Sequence, residues 1–328
     1  MKDVATAAGV CPATVSLALR NHPSIPEATR ERIRQAAEDL GYRPNPRISE
    51  LMTHIRKTRR ATANTETIAM IWADVTRETV MNSKNLQKFQ TSVQRRLTEN
   101  GFGLVVFHLD ADLSAARMET MLHSRGVRGV ILAPLLKQSE MTLNWNWRNF
   151  SVVIAGSARW HPEFNRVRFN HFAEMRVMVQ ELQNKGFLRI GLVIDRNLEE
   201  RSQHAIDGGF WGAVPAEIRK SDAVFELDAP KAGRLSSWMA SYQPDCLIFE
   251  TIPPSPFRKQ IPAHIPIFLR TLPDPSRQPH PAGILQNWPL LGQAAADQLM
   301  AQLQLNQSGV PPHPIQSLIQ GEWVEHSP

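Results

Sequence analysis

The chain has 328 residues, 42% of them apolar and 21% charged, with a net charge of +6; that is enough for two or three domains with real cores. The first 62 residues carry 11 Lys/Arg against 6 Asp/Glu, a net +5, and everything after them only +1, and a basic head on a near-neutral body is the footprint of a nucleic-acid binder. Cys11 and Cys246 are the only two cysteines, with no CxxC spacing, which argues against a disulfide framework and a cysteine zinc site. Met1-Lys2-Asp3-Val4 lacks the apolar core of a secretory signal. No apolar run reaches the roughly 18–20 residues that span a bilayer, so a cytoplasmic protein with no membrane partner is expected.

In chain order, Val4, Ala5 and Ala8 form a short helical apolar face, and Val10, Val15, Ala18 and Leu19 form another beyond Gly9. Two short helices around a turn glycine make a helix-turn-helix pattern. Cys11 stands at an N-cap position where Ser or Thr would be better, and Pro12 suits the first helical position. A third helix is predicted from Pro26-Glu27 to Leu40, with Ile33, Ala36, Ala37 and Leu40 as its buried stripe and Gly41 at its end.

The ordered pieces Asp3-Val4-Ala5, Ala8-Gly9-Val10, Ala13-Thr14-Val15-Ser16, Thr29-Arg30 and Leu40-Gly41-Tyr42-Arg43-Pro44-Asn45 resemble the head of the lactose-repressor (LacI/GalR) family of bacterial regulators. The resemblance implies that residues 12–19 enter the major groove of DNA, with Pro12, Ala13 and Leu17 at base-reading positions. It places Thr14, Ser16 and Tyr42 at phosphate-contacting positions, with Asn45 counted among the DNA-binding residues. Phosphate contacts position such a head and base contacts specify the sequence. Leu17 replaces the Arg common at its position and cannot donate to guanine, so it either meets an apolar group such as a thymine methyl or simply packs.

From Asn45 to Asn64, Ile48, Leu51, Met52 and Ile55 share one helical face amid Arg47, Arg56, Lys57, Arg59 and Arg60. In the family a short helix here forms on DNA, pairs with its dimer mate and wedges a Leu into the minor groove; Leu51 matches that Leu. A dimer seam or a solvated linker is the alternative. Ile48 stands where the family prefers Ala, and Glu50 departs from it by facing phosphates.

The body alternates strands and helices. Strands are predicted at Thr67–Asp74, Gly103–Leu109, Val127–Leu135, Ser151–Gly156, Arg189–Ile194, Ala223–Leu227, Asp245–Glu250, Ile265–Leu269 and Ile284–Gln286, with helices ending at Gly101, Gly126 and Gly186. This order predicts an α/β body of parallel, doubly wound sheets, long enough for two lobes. Ile252–Pro281 is Pro-rich and expected to be irregular. The expected domains are residues 1–44, a helix-turn-helix head; 45–64, a hinge helix and linker; and 65–328, a two-lobed effector-binding and dimerisation domain.

Phe150–Gly156, Leu182–Gly191, Gly209-Phe210 and Ile284–Leu299 resemble the same family's body, a periplasmic-binding-protein-like pair of lobes. The resemblance implies three chain crossings between lobes and a ligand in the cleft at the strands' carboxyl ends. Asp74, Trp160, Arg201, Asn287 and Trp288 are the candidate effector-binding residues; Trp288 either lies against the effector or belongs to the core. Gly156 and Thr251 stand where Asp and Asn are typical, which argues against an ordinary sugar effector.

No HExxH, GxxxxGK[ST] or GxSxG occurs. His161 and His171 have no carboxylate-rich setting, and Gly101-Phe102-Gly103 leads into a strand, not a phosphate-binding helix. No enzyme, no cofactor and no metal site are therefore expected. The sequence points to a homodimeric transcriptional regulator, most often a repressor in this family, that binds a palindromic double-stranded DNA operator and answers to a small-molecule effector. The alternative is a DNA-binding dimer whose body has lost its ligand. A transport-type binding protein is a further reading, opposed by the basic head and the absent signal.

Overall fold

In the head, α1 (Lys2–Ala7), α2 (Pro12–Ala18) and α3 (Glu27–Asp39) pack about one small core. The computed structural model describes residues 2–19, 21–22, 24–41, 66–109, 115–215, 219, 222–227, 234–273 and 280–326, without the side chains of Lys2, Pro12, Ala13 and Ser16. Val4, Ala5, Ala8, Val15, Ala18, Ile33 and Ala37 form the head core, each at most 5% exposed. Removing a side chain such as that of Ile33 from water contributes about 1.5–3 kcal/mol, so a head this small depends on a handful of residues. The turn after α1 closes through Val10 N–H donating to the Ala5 carbonyl at 2.9 Å. Gly9 makes this possible at φ +64°, a left-handed conformation that costs glycine nothing sterically.

Pro26 is the N-cap of α3, and its last helical residue is Asp39. Leu40, expected in the buried stripe, is 50% exposed. Its backbone at φ −93°, ψ 3° has left the helix, so the helical spacing no longer carries its side chain to the core face.

The body runs β1 (Thr67–Trp72), α4 (Arg77–Asn82), α5 (Lys84–Glu99), β2 (Gly103–His108), α6 (Ala115–Ser124), β3 (Gly129–Leu132), β4 (Glu140–Thr142), β5 (Ser151–Ala155), β6 (Arg159–His161) and β7 (Asn165–Phe169). It continues through α7 (His171–Asn184), β8 (Ile190–Asp195), α8 (Arg196–Ser202), α9 (Ala205–Ala213), β9 (Val224–Leu227), α10 (Arg234–Tyr242), β10 (Cys246–Phe249), α11 (Ser255–Arg258), β11 (Ile267–Leu269) and β12 (Gly283–Leu285). It ends with α12 (Trp288–Gln304), β13 (Gln316–Ile319) and β14 (Glu322–Val324).

Two six-stranded sheets result, in the orders β13-β7-β5-β3-β1-β2 for lobe 1 and β14-β12-β11-β10-β8-β9 for lobe 2. Lobe 1 is parallel throughout, whereas β14 runs antiparallel to β12 in lobe 2. The chain therefore crosses between lobes three times: from β7 to α7, from β12 to α12, and from β13 to β14. The side chains of β1 alternate between the two faces of the sheet as a pleated strand requires, and all after Thr67 are buried. Ile68, Met70 and Trp72 enter the core shared with α5 and α12, while Ala69 and Ile71 enter the core on the opposite face. Covering both faces in this way is what a parallel sheet needs.

All nine predicted strands form, with slightly shifted ends. The expected helix-ending glycines Gly101, Gly126 and Gly186 have positive φ. Five further strands, β4, β6, β7, β13 and β14, were not expected: they are short, and their sequences mix polar with apolar residues. The Pro-rich stretch after Ile252 holds only one helical turn, α11, and β11 within its described residues.

Candidate nucleic-acid interface and interlobe cleft

On α2, Thr14 and Leu17 are half-buried, and the Cys11 thiol meets the Thr14 hydroxyl at 3.1 Å. Cys11 occupies the N-cap position as expected, without a side-chain bond to a helix N–H. Pro12, Ala13 and Ser16 lie on this same helix. Tyr42, Asn45, Leu51 and the whole linker face from Ile48 to Ile55 lie outside the described residues. No charged residue occurs in α2, PATVSLA, whereas on α3 Arg30 pairs with Glu27 and Arg34 with Glu31. A helix so composed can offer a base edge only hydroxyls and apolar surface.

The two lobes meet beyond the carboxyl ends of β1 and β8, and the space between them there is the candidate cleft. Asp74, just past β1, accepts the backbone N–H groups of Leu136, Lys137 and Gln138 at 2.7–3.1 Å. It thereby fixes the loop after β3 and presents a carboxylate whose charge is shared by three donors. Opposite, Arg201 on α8 donates to Asn197 Oδ1 at 3.0 Å. Burial lowers the pKa of its guanidinium against the opposing pull of Glu250, Asp195 and Asp74. Two direct bonds join the lobes at this mouth: Asn197 Nδ2 donates to the Lys137 carbonyl and Gln203 Nε2 to the Ser157 carbonyl, both at 2.6 Å.

Trp288 opens α12 and packs edge-on against Phe169 with ring centroids 5.1 Å apart. It is half-buried, and its indole N–H is shielded without a hydrogen-bond partner. Asn287 caps the same helix by accepting Leu290 N–H at 2.9 Å, which leaves its amide donors free of that role. Trp160 is different: at 2% exposure it belongs to the core of lobe 1 with Trp147 and Phe164. It sits in β6, which pairs only with β4, and its ring is enclosed by that core, so it lines no cleft. Gly156, at φ +102° beside Pro134, has a backbone that an acid residue would adopt only with strain. Away from the cleft, Trp145, Trp147, Arg148 and Val310 line an open groove of about 510 Å³ on lobe 1.

A buried polar network, not anticipated from sequence, sits where the crossings meet. Glu174 is fully buried, lies 3.5 Å from Arg270 and accepts Gln286 Nε2 at 3.1 Å. Arg270 also donates to His171 at 3.0 Å and pairs with Glu250. Thr271 donates to Glu250 at 2.8 Å. His171 and Glu174 belong to the first crossing and Gln286 to the second. A Cβ on Gly321, at the third, would come 2.9 Å from Glu174 Oε1. Burial lowers the His171 pKa and keeps the ring neutral, with Arg270 adding to the effect. Burial alone would raise the pKa of Glu174, but His171, Arg270 and Gln286 outweigh it and hold the carboxylate ionised.

The comparisons agree with this architecture. Residues 1–45 match the family model "Bacterial regulatory proteins, lacI family". The transcriptional regulator PtxS of Pseudomonas putida is 26% identical over 73% of this chain and 67% of its own length. The repressor CytR of Escherichia coli is 52% identical over 14% of each chain. MalR of Streptococcus pneumoniae is 42% identical over 53 residues, so the match spans about a sixth of that relative's length. Among solved structures, the CelR–cellobiose complex superposes with a TM-score of 0.59 at 16% identity over 99% of this chain and 98% of its own. The lac repressor dimer bound to operator and the anti-inducer ONPF does so at 0.56 and 19% identity over 99% and 97%; both show the shared fold. These relatives are transcriptional regulators, and among the described residues no helix is long and apolar enough to cross a membrane. The first 45 residues are thus a lacI-family head, and the two lobes behind it share the fold of the CelR and lac repressor structures.

Proposed function

We propose that this chain is a cytoplasmic, sequence-specific transcriptional repressor that binds a palindromic operator as a homodimer and is controlled by a small molecule held between its lobes. The observation that carries the DNA-binding part is the head: a lacI-family match over residues 1–45 on three helices that leave α2 free of charge. Residues 1–44 read DNA, 45–64 couple head to body, and 65–328 bind effector and dimerise. Pro12, Ala13 and Leu17 face bases, Thr14, Ser16, Tyr42 and Asn45 position the backbone, and Leu51 enters the minor groove. Two copies read two half-sites, which is why the operator is expected to be palindromic.

For the effector, the supporting observations are the shielded Trp288 N–H without an acceptor and the half-buried Arg201 guanidinium of lobe 2, which feels the charges of Glu250 and Asp195 on its own lobe and of Asp74 on lobe 1. An unsatisfied buried donor costs free energy that a ligand acceptor would recover, which favours a functioning pocket over a body kept only for dimerisation. The effector acts through unequal affinity for two lobe arrangements, and the Asn197–Lys137 and Gln203–Ser157 bonds belong to one of them. No catalytic step and no cofactor enter this reading.

The test is selection of bound sequences from random duplex DNA by the full-length protein at fixed salt. A palindrome with half-sites about one helical turn apart is expected. Purely salt-sensitive binding without sequence preference would overturn the proposal.

A further inference from the structure

Glu199, His204 and Asp207 bring two carboxylate oxygens and one imidazole nitrogen within 4.8 Å of one another at the turn between α8 and α9. His204 Nδ1 lies 3.7 Å from Glu199 Oε1 and 4.0 Å from Asp207 Oδ2. The Glu199 side chain is 9% exposed, and its Oε2 is shielded from water with no hydrogen-bond partner. Its Oε1 accepts the Asp207 N–H at 3.2 Å, which holds the two acids face to face. Among the described residues neither carboxylate has a Lys or Arg within ion-pairing distance. Two acids are thus packed together, one of them with an orphaned oxygen, and only an imidazole stands beside them.

We propose that Glu199, His204 and Asp207 bind a divalent transition-metal ion of the Zn²⁺ class. Imidazole with carboxylates suits Zn²⁺ and its neighbours, whereas Mg²⁺ and Ca²⁺ prefer all-oxygen shells. Three protein ligands leave a coordination position for water. The ion would supply the charge the two acids lack and a partner for Glu199 Oε2. His204 is 69% exposed, which provides an entry path from solvent.

The site has a structural consequence. Gln203 and His204 are both left-handed, at φ 58° and 59°, and Gln203 is the residue that reaches across to the Ser157 carbonyl of lobe 1. An ion holding His204 to Glu199 and Asp207 therefore fixes the turn that carries one interlobe bond. This coupling rests on the cleft reading above; the binding site itself does not.

The experiment is calorimetric titration of the chelator-stripped, full-length protein with Zn²⁺, and with Mg²⁺ as control, on the unmodified chain, His204→Asn and Glu199→Gln. Asn tolerates the left-handed backbone at an exposed position, and Gln is nearly isosteric with Glu, so both variants should fold. One Zn²⁺ per chain is expected, with weak or no Mg²⁺ binding and at least about tenfold weaker Zn²⁺ binding in each variant. Absence of a stoichiometric Zn²⁺ site, or binding unchanged in His204→Asn, overturns the proposal. Operator binding measured on the same samples separates failure of this site from failure of the regulatory reading.

Discussion

The carboxylate of Glu174 and the guanidinium of Arg270 lie 3.5 Å apart with side-chain exposures of 0% and 3%, and they tie the first interlobe crossing to the end of β11. Removing one partner of such a pair leaves a buried charge uncompensated. Arg270→Met is therefore expected to lower stability by about 3–5 kcal/mol, read from urea denaturation midpoints at an unchanged slope. The double variant Arg270→Met/Glu174→Gln should recover much of that loss. If it is no more stable than the single variant, the cost lies in the Glu250 and His171 bonds of Arg270 instead.

The same network sets an acid limit. His171 has a folded pKa below its ordinary 6.5, so above 6.5 both folded and unfolded states are neutral. As pH falls below that value, the unfolded chain takes up the proton first and stability declines. Glu174 is likewise held below its ordinary 4.5, which adds a further decline as pH falls past that point. Thermal midpoints should thus drop from about pH 6.5 downward, and His171→Gln should remove the upper part of the decline. A midpoint that stays level from neutrality to below pH 5 would contradict the buried neutral ring.

Phe172, although 43% exposed, covers the glycines of α9. A Cβ on Gly209 would stand 2.6 Å from the Phe172 carbonyl and 2.9 Å from Met175 Cβ, and both neighbours are on α7. Alanine would gain about 1 kcal/mol of helix propensity, yet the backbone clash outweighs it. Gly209→Ala should destabilise lobe 2 by about 1–3 kcal/mol net, measured by calorimetry. Equal or higher stability would mean that α9 can move away from α7 freely.

At the head, Leu17→Arg introduces a donor that can pair bidentately with guanine O6 and N7. The sequences selected by this variant should gain a G at one position of each half-site, discriminated by about 1–3 kcal/mol. An unchanged preference would show that Leu17 only packs against its neighbours.

What sequence alone determined was local. Gly9, Pro12, Pro26 and Gly41 punctuate three helices whose apolar spacing marks Val4, Val15 and Ile33 as core, and short apolar runs between turn residues mark nine strands. Each such signal lies within a few residues because backbone preference and side-chain periodicity act at that range. Leu40 failed because the helix ended one residue earlier than the pattern. Trp160 failed because its ring is buried among residues such as Trp147 and Phe164, neighbours that sequence spacing does not reveal. Only the tertiary structure decided the rest. The Arg270–His171 bond joins residues 99 apart in sequence, and Asn197 reaches Lys137 60 residues away, separations over which periodicity carries no information. Glu199, His204 and Asp207 are close in sequence, and although His204 and Asp207 stand three apart as on one helical turn, no single helix carries all three. The left-handed pair Gln203–His204 breaks the helix between them, and it is this turn, set by the packing of α8 and α9, that brings one imidazole against two acids.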